Sequence, residues 1–162
     1  PPSHLLPGCP RRTFLSVAAT GHCLSMPLSL SSLAQAVTSP VGTWKTIDDK
    51  TNKPKSLVEI TGVNGKLSGR IIGLFRDPSE EQNPMCDKCK GTLHNKPIKG
   101  LVILWGLSKD GEEWDGGSIM DPKTGKVYKA KLEVENGGKD LAVRGFLGFS
   151  MFGRSQTWHR EK

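Results

Sequence analysis

Cys86-Asp87-Lys88-Cys89, with His94 five residues further on, is the strongest local motif of the sequence. A cysteine pair at this spacing serves one of three chemistries. Thiol–disulfide exchange wants the pair at a helix N-terminus, where the dipole lowers the thiol pKa, and no helical period surrounds these residues. Zinc wants four tetrahedral ligands. Cys86, Cys89 and His94 supply three and Asp87 or the distant His159 a fourth, but no second Cys/His pair completes the set. The third chemistry is a short-loop disulfide that stiffens an irregular segment, the expected state of Cys86 and Cys89 in an oxidising compartment. Haem attachment would need a histidine directly after the second cysteine, where Lys90 stands.

Acids form the other candidate group. Glu113, Asp115 and Gly117 alternate onto one face of a strand, presenting a carboxylate pair of the kind acid/base catalysis uses. The same stretch has plainer readings: Asp121-Pro122 opens a turn, and Asp115-Gly116-Gly117 makes a bulge. No serine has the strand–turn–helix setting of a nucleophile elbow. His159 alternates with Trp158 and Arg160 and so faces away from them. No catalytic residue and no cofactor is therefore assigned.

The elements that carry these groups are strands. Apolar residues recur with period two, broken by Gly, Asn and Asp turns, the mark of half-buried antiparallel strands. The pattern predicts strands at 42–47, 56–61, 66–75, 100–107, 113–120, 127–134, 140–146 and 154–160. Asn64-Gly65 is a tight hairpin turn. Asp77-Pro78, Asn83-Pro84 and Lys96-Pro97 keep 76–97 out of regular pairing. Short connectors demand antiparallel neighbours. An open sheet of eight would leave two edges, so the expected fold is all-β, an eight-stranded antiparallel up-and-down barrel with one long cysteine-containing loop. The apolar connector from Phe146 to Gly153 is expected to plug one barrel end, with a mobile lid or a tip touching membrane or partner as alternatives.

Residues 1–36 read as a signal peptide rather than as fold. Arg11-Arg12 precede a Leu/Ser-rich run that ends in the small-x-small site Ala34-Gln35-Ala36. That leaves 37–162 as a single barrel domain, periplasmic or secreted. The 162 residues carry a net charge of +7, and the first 36 contain two arginines and no acid. The remainder is mildly basic with interspersed acids, so no stripe suits a nucleic-acid backbone. Attraction to anionic envelope surfaces remains open. No stretch of 37–162 is long and apolar enough for a membrane-spanning helix.

Gly42-Thr43-Trp44 on the first strand and Trp158 with Arg160 on the last are neighbours if the barrel closes, with the Arg160 guanidinium laid on the Trp44 indole. Gly-x-Trp with a terminal arginine resembles the calycin and lipocalin-like barrels. A closer resemblance rests on Asn95-Lys96-Pro97-Ile98-Lys99-Gly100-Leu101, Trp114-Asp115-Gly116-Gly117-Ser118, Leu141-Ala142-Val143-Arg144-Gly145-Phe146 and Gly153-Arg154-Ser155-Gln156-Thr157-Trp158. In order and spacing these are similar to a bacterial exported family, domain of unknown function 2147. The resemblance implies a small envelope protein with a lipocalin-like barrel and no assigned activity.

The function expected first is non-enzymatic binding of a small apolar or amphipathic molecule, or an envelope lipid, with Arg70, Trp105, Tyr128 and Phe149 lining the site. The second is a structural or stress-related envelope protein with a filled barrel. The third is an enzyme using Glu113 and Asp115. Room in the bore separates the first two.

Overall fold

The computed structural model describes residues 39–148 and 153–161. The expected signal peptide and Phe149 lie outside the described residues. Eight strands follow in order: β1 Gly42–Ile47, β2 Pro54–Val63, β3 Lys66–Leu74, β4 Val102–Asp110, β5 Glu113–Asp121, β6 Lys126–Glu135, β7 Asp140–Phe146 and β8 Gly153–Arg160. Each pairs antiparallel with the next, and β8 returns to β1 to close the barrel. The closing register sets Trp44 opposite Arg160 and Lys45 opposite His159. All eight expected strands are present. β2 is longer at both ends than the alternation alone gives, and β4 begins and ends later.

Local chemistry explains the turns. Asn64 and Gly65 both take positive φ, 51° and 74°, which the right-handed twist of a two-residue hairpin requires. Asp48 opens the β1–β2 connector by accepting the N–H groups of Lys50 and Thr51 at 2.9 and 3.0 Å. In the long connector, Met85 and Pro97 form an isolated antiparallel bridge. Its neighbours supply the bonds: Cys86 N–H donates to the Lys96 carbonyl at 2.8 Å and Ile98 N–H to the Pro84 carbonyl at 2.9 Å. The prolines thus limit pairing here without abolishing it, because neither Pro84 nor Pro97 is asked to donate.

Alternation decides what enters the bore. Val58 and Ile60 are buried while Glu59 is exposed; Ala130 and Leu132 are buried while Lys129 and Glu133 are exposed. The bore is filled by large side chains at under 2 % exposure, among them Trp44, Trp158, Ile60, Leu104, Leu132 and Leu141. Eight strands leave a bore only wide enough for side chains or one small ligand, and here side chains take it. Small inward residues do not reopen it. A Cβ on Gly69 would stand 3.0 Å from Leu104 and 3.3 Å from Val58, and one on Gly145 3.4 Å from Ile119.

At the end where β1 begins, the Arg160 guanidinium lies 4.1 Å from the Trp44 ring centroid. It donates to the carbonyls of Val41 (3.0 Å), Ser39 (2.7 Å) and Gly138. The Trp44 indole N–H donates to the Pro40 carbonyl at 2.8 Å. Gly42 has φ 138°, and a Cβ there would stand 2.6 Å from Arg160 Nη1. This is the closed end. The long connector and the β5–β6 connector lie at the opposite end; most of the connector expected to plug a barrel end, 149–152, lies outside the described residues.

Candidate functional site

Three groups of polar side chains survive as candidates. Cys86 and Cys89 form a disulfide. Both are buried, at 0 % and 3 % exposure. Cys86 Sγ lies 3.3 Å from the Pro122 carbonyl oxygen, and Cys89 Sγ 3.7 Å from the Met120 sulfur. With both sulfurs in the disulfide, the zinc alternative loses two of its three ligands. His94 Nδ1 instead sits 3.2 Å from the Cys89 carbonyl. Among the described residues no group of three or more His, Cys, Asp or Glu is placed to hold a metal ion.

The acids of β5 lie on the outer wall. The β5–β6 register shifts between Trp114 and Gly117, leaving Asp115 and Gly116 as a bulge. Gly116 takes φ 76°, and its N–H donates to Asp115 Oδ1 at 2.6 Å. Lys131, from the neighbouring strand, places its ammonium 2.9 Å from Asp115 and 3.3 Å from Glu113. Burial would raise the Asp115 carboxyl, but the Gly116 N–H and the Lys131 ammonium outweigh it and hold the group below its ordinary value. The Asp115 carboxylate in turn pushes the Lys131 ammonium up. The Asp115 carboxylate is therefore held ionised in an ion-pair cluster that Lys131 ties to Glu113 as well.

Beside this cluster is an open depression of about 520 Å³ on the outside of β5, β6 and β7. Asp115, Gly116, Gly117 and Ser118 form one flank, Lys129 and Lys131 the floor, and Phe146 with Gly148 the other flank. Register fixes the row, with Ser118 opposite Lys129 and Lys129 opposite Phe146. Phe146 is 7 % exposed. Lys129 has no ion-pair partner among the described residues.

Toward the end opposite the Trp44–Arg160 contact the inner surface turns polar. The Thr46 and Ser56 hydroxyls meet at 2.7 Å. Gln156 donates to Asp49 Oδ2 at 2.7 Å and accepts from the Trp158 indole at 3.4 Å. Arg154 pairs with the same Asp49 carboxylate, tying the β1–β2 connector to β8.

The expected lining residues do not converge. Arg70 is exposed on the outer face of β3, opposite in parity to buried Leu67, Gly69 and Ile71. Trp105 also faces outward, 36 % exposed, between Ser68 and Ser118. Gly106, at φ 80°, is the extra residue that shifts the register of β4 and keeps both Leu104 and Leu107 inside. Tyr128 is half-buried on the inner face against Gly145. Arg70 and Trp105 therefore do not line the bore: period two turns Arg70 outward, and the Gly106 bulge sets Trp105 outward between buried Leu104 and Leu107. Lys129 and Lys131, on the outer face of β6, are the residues that sequence reasoning missed. The Asp115-Gly116-Gly117 bulge stands where the sequence suggested, but which β6 residue lies opposite it is set by the strand register and not by any local signal.

The description "Uncharacterized protein conserved in bacteria (DUF2147)" fits residues 42–160, from the first residue of β1 to the last of β8. A solved structure, protein HP1028 from the human pathogen Helicobacter pylori, described as belonging to the lipocalin family, is similar at 25 % identity with a TM-score of 0.65. The likeness covers 76 % of this chain and 84 % of that one. No curated protein matches the chain.

Proposed function

The chain belongs to the DUF2147 family of bacteria, and from that footing we propose a small non-enzymatic envelope protein that binds an amphipathic molecule, apolar with an anionic group, against the outer wall of its lipocalin-like barrel. The observation that carries this reading is the depression over Ser118, Lys129 and Phe146, beside a bore filled by its own side chains. The unpartnered Lys129 ammonium and the Ser118 hydroxyl suit an anionic head, and Phe146 supplies an apolar wall. Export is supported by the order of basic, apolar and small residues in 1–36 and by the buried disulfide, which persists in oxidising compartments. Against catalysis stands Lys131, which engages both acids of the third reading.

The test is native mass spectrometry of the protein purified from its own envelope, beside calorimetric titration with dodecanoate. The expected result is a bound mass and a titratable site that Lys129→Glu and Ser118→Trp both remove while thermal stability is kept. Absence of a bound mass, with no heat from dodecanoate, overturns the reading. It would leave the second one, a filled structural barrel, which the packing around Trp44 and Trp158 favours.

A further inference from the structure

We propose that the disulfide-stapled lobe, at the end of the barrel opposite the Trp44–Arg160 contact, is a docking surface for an anionic lipid bilayer. This does not rest on the wall depression, which involves none of the same residues. The lobe is segment 84–101 folded on the turn 121–126. Cys86 packs on Pro122 and Cys89 on Met120, and Gly125 has no room for a Cβ beneath the Lys88 carbonyl. Loop and turn therefore present one surface, held from beneath by buried sulfur.

That surface carries six exposed lysines: Lys88, Lys90, Lys96, Lys99, Lys123 and Lys126. Its two acids are engaged. Asp87 pairs with Lys88 at 3.5 Å, and Asp121 accepts the Lys123 N–H and the Thr124 hydroxyl at 3.0 Å each. Among the described residues none of the other five lysines has an acid within ion-pair distance. Across the whole lobe end basic groups still exceed acids when Asp77, Glu80 and Glu81 of the same connector are included, whereas at the closed end Asp110, Glu112, Glu113, Glu135 and Asp140 outnumber Lys66, Lys109, Lys139 and Arg160. The barrel is thus charged unequally along its axis, and a negative surface orients it with the lobe forward.

Apolar surface lies among the same lysines. Met85 and Val127 are 52 % and 47 % exposed. A depression of about 340 Å³ floored by Leu93, Leu101 and Val102 opens between Lys96 and Lys99. Ammonium groups around an apolar floor complement phosphate headgroups above acyl chains. A nucleic acid would instead call for aromatic platforms along a basic track, and no Phe, Trp or Tyr occurs in 84–101 or 121–126, where His94 is the single ring that could stack.

The experiment is co-sedimentation of the folded protein with phosphatidylcholine vesicles, with and without phosphatidylglycerol. Binding is expected only where phosphatidylglycerol is present, and it should weaken with salt. Each lysine near an anionic surface strengthens binding about fivefold. The combined Lys96→Glu, Lys99→Glu, Lys123→Glu and Lys126→Glu variant should therefore lose more than about a hundredfold. The closed-end variant Lys66→Glu, Lys109→Glu and Lys139→Glu should bind as the parent does. If the quadruple variant does not fold, the pairs at 96/99 and 123/126 read the same effect, each losing about tenfold or more. Equal binding to neutral vesicles, no binding to either, a loss as large in the closed-end variant, or retention on duplex DNA in place of vesicles overturns the proposal.

Discussion

Arg160 and Trp44 face each other across the β1–β8 seam, with the guanidinium carbon 4.1 Å from the indole centroid. The contact joins the last strand to the first. Desolvation lowers the pKa of the Arg160 guanidinium, yet an arginine stays charged throughout the ordinary pH range. The carbonyls of Ser39, Val41 and Gly138 receive its N–H groups.

Removing either partner should open the seam. Arg160→Ala is expected to cost about 2–3 kcal/mol, combining a cation–π contact with charge-assisted hydrogen bonds. Trp44→Ala, at a fully buried position, should cost about 3–5 kcal/mol. Arg160→Lys should recover little, since an ammonium cannot reach three carbonyls and stack at once. Urea unfolding monitored by tryptophan fluorescence measures all three. Midpoints unchanged in both alanine variants would sink the clasp.

A filled bore predicts that adding a methyl group to it is harmful. Gly69→Ala would press on Leu104 and Val58 at 3.0 and 3.3 Å, and is expected to destabilise by about 1–3 kcal/mol. Were the bore open, the same change would be neutral or stabilising, because alanine restricts the unfolded chain. Thermal unfolding of the single variant decides between them.

Much of this architecture is legible in the sequence because alternation and turn chemistry are local signals. Val58-Glu59-Ile60 and Ala130-Lys131-Leu132 announce their inner and outer faces. Trp44 and Arg160, far apart in the chain, are brought together by strand count and closure. The site is less legible because it depends on register. Gly106 and Gly116 each sit in a bulge, and a slip of one residue reverses which side chains meet. Lys131 therefore reaches Glu113 and Asp115, and Trp105 faces out, for reasons that only the paired strands reveal.

The disulfide should stabilise its lobe more than the barrel. Closing so short a loop accounts for about 2 kcal/mol on chain-entropy grounds. Cys86→Ser with Cys89→Ser should therefore speed amide exchange within 84–98, where Cys86 and Asn95 now bond across the lobe, while the β1–β8 amides stay protected. Uniformly faster exchange over the whole barrel would contradict a local role.

Acid should weaken the closed end in a defined window. The Asn136 amide and the His159 ring hold the Asp140 carboxyl below 3.8, its ordinary value. A depressed folded pKa contributes stability that is fully present above 3.8 and is lost as pH falls through the folded value. Asp140→Asn should thus be less stable than the parent at neutral pH and converge on it in acid. A stability difference that does not change with pH would rule this linkage out.

The most direct measurement of where the ligand binds is amide chemical-shift mapping during titration with dodecanoate. The outer-wall site predicts shifts confined to Ser118, Lys129, Lys131 and Gly148, which surround the depression, and their loss in Lys129→Glu. Shifts centred instead on Ile60, Leu104 and Leu132, inside the bore, would contradict it.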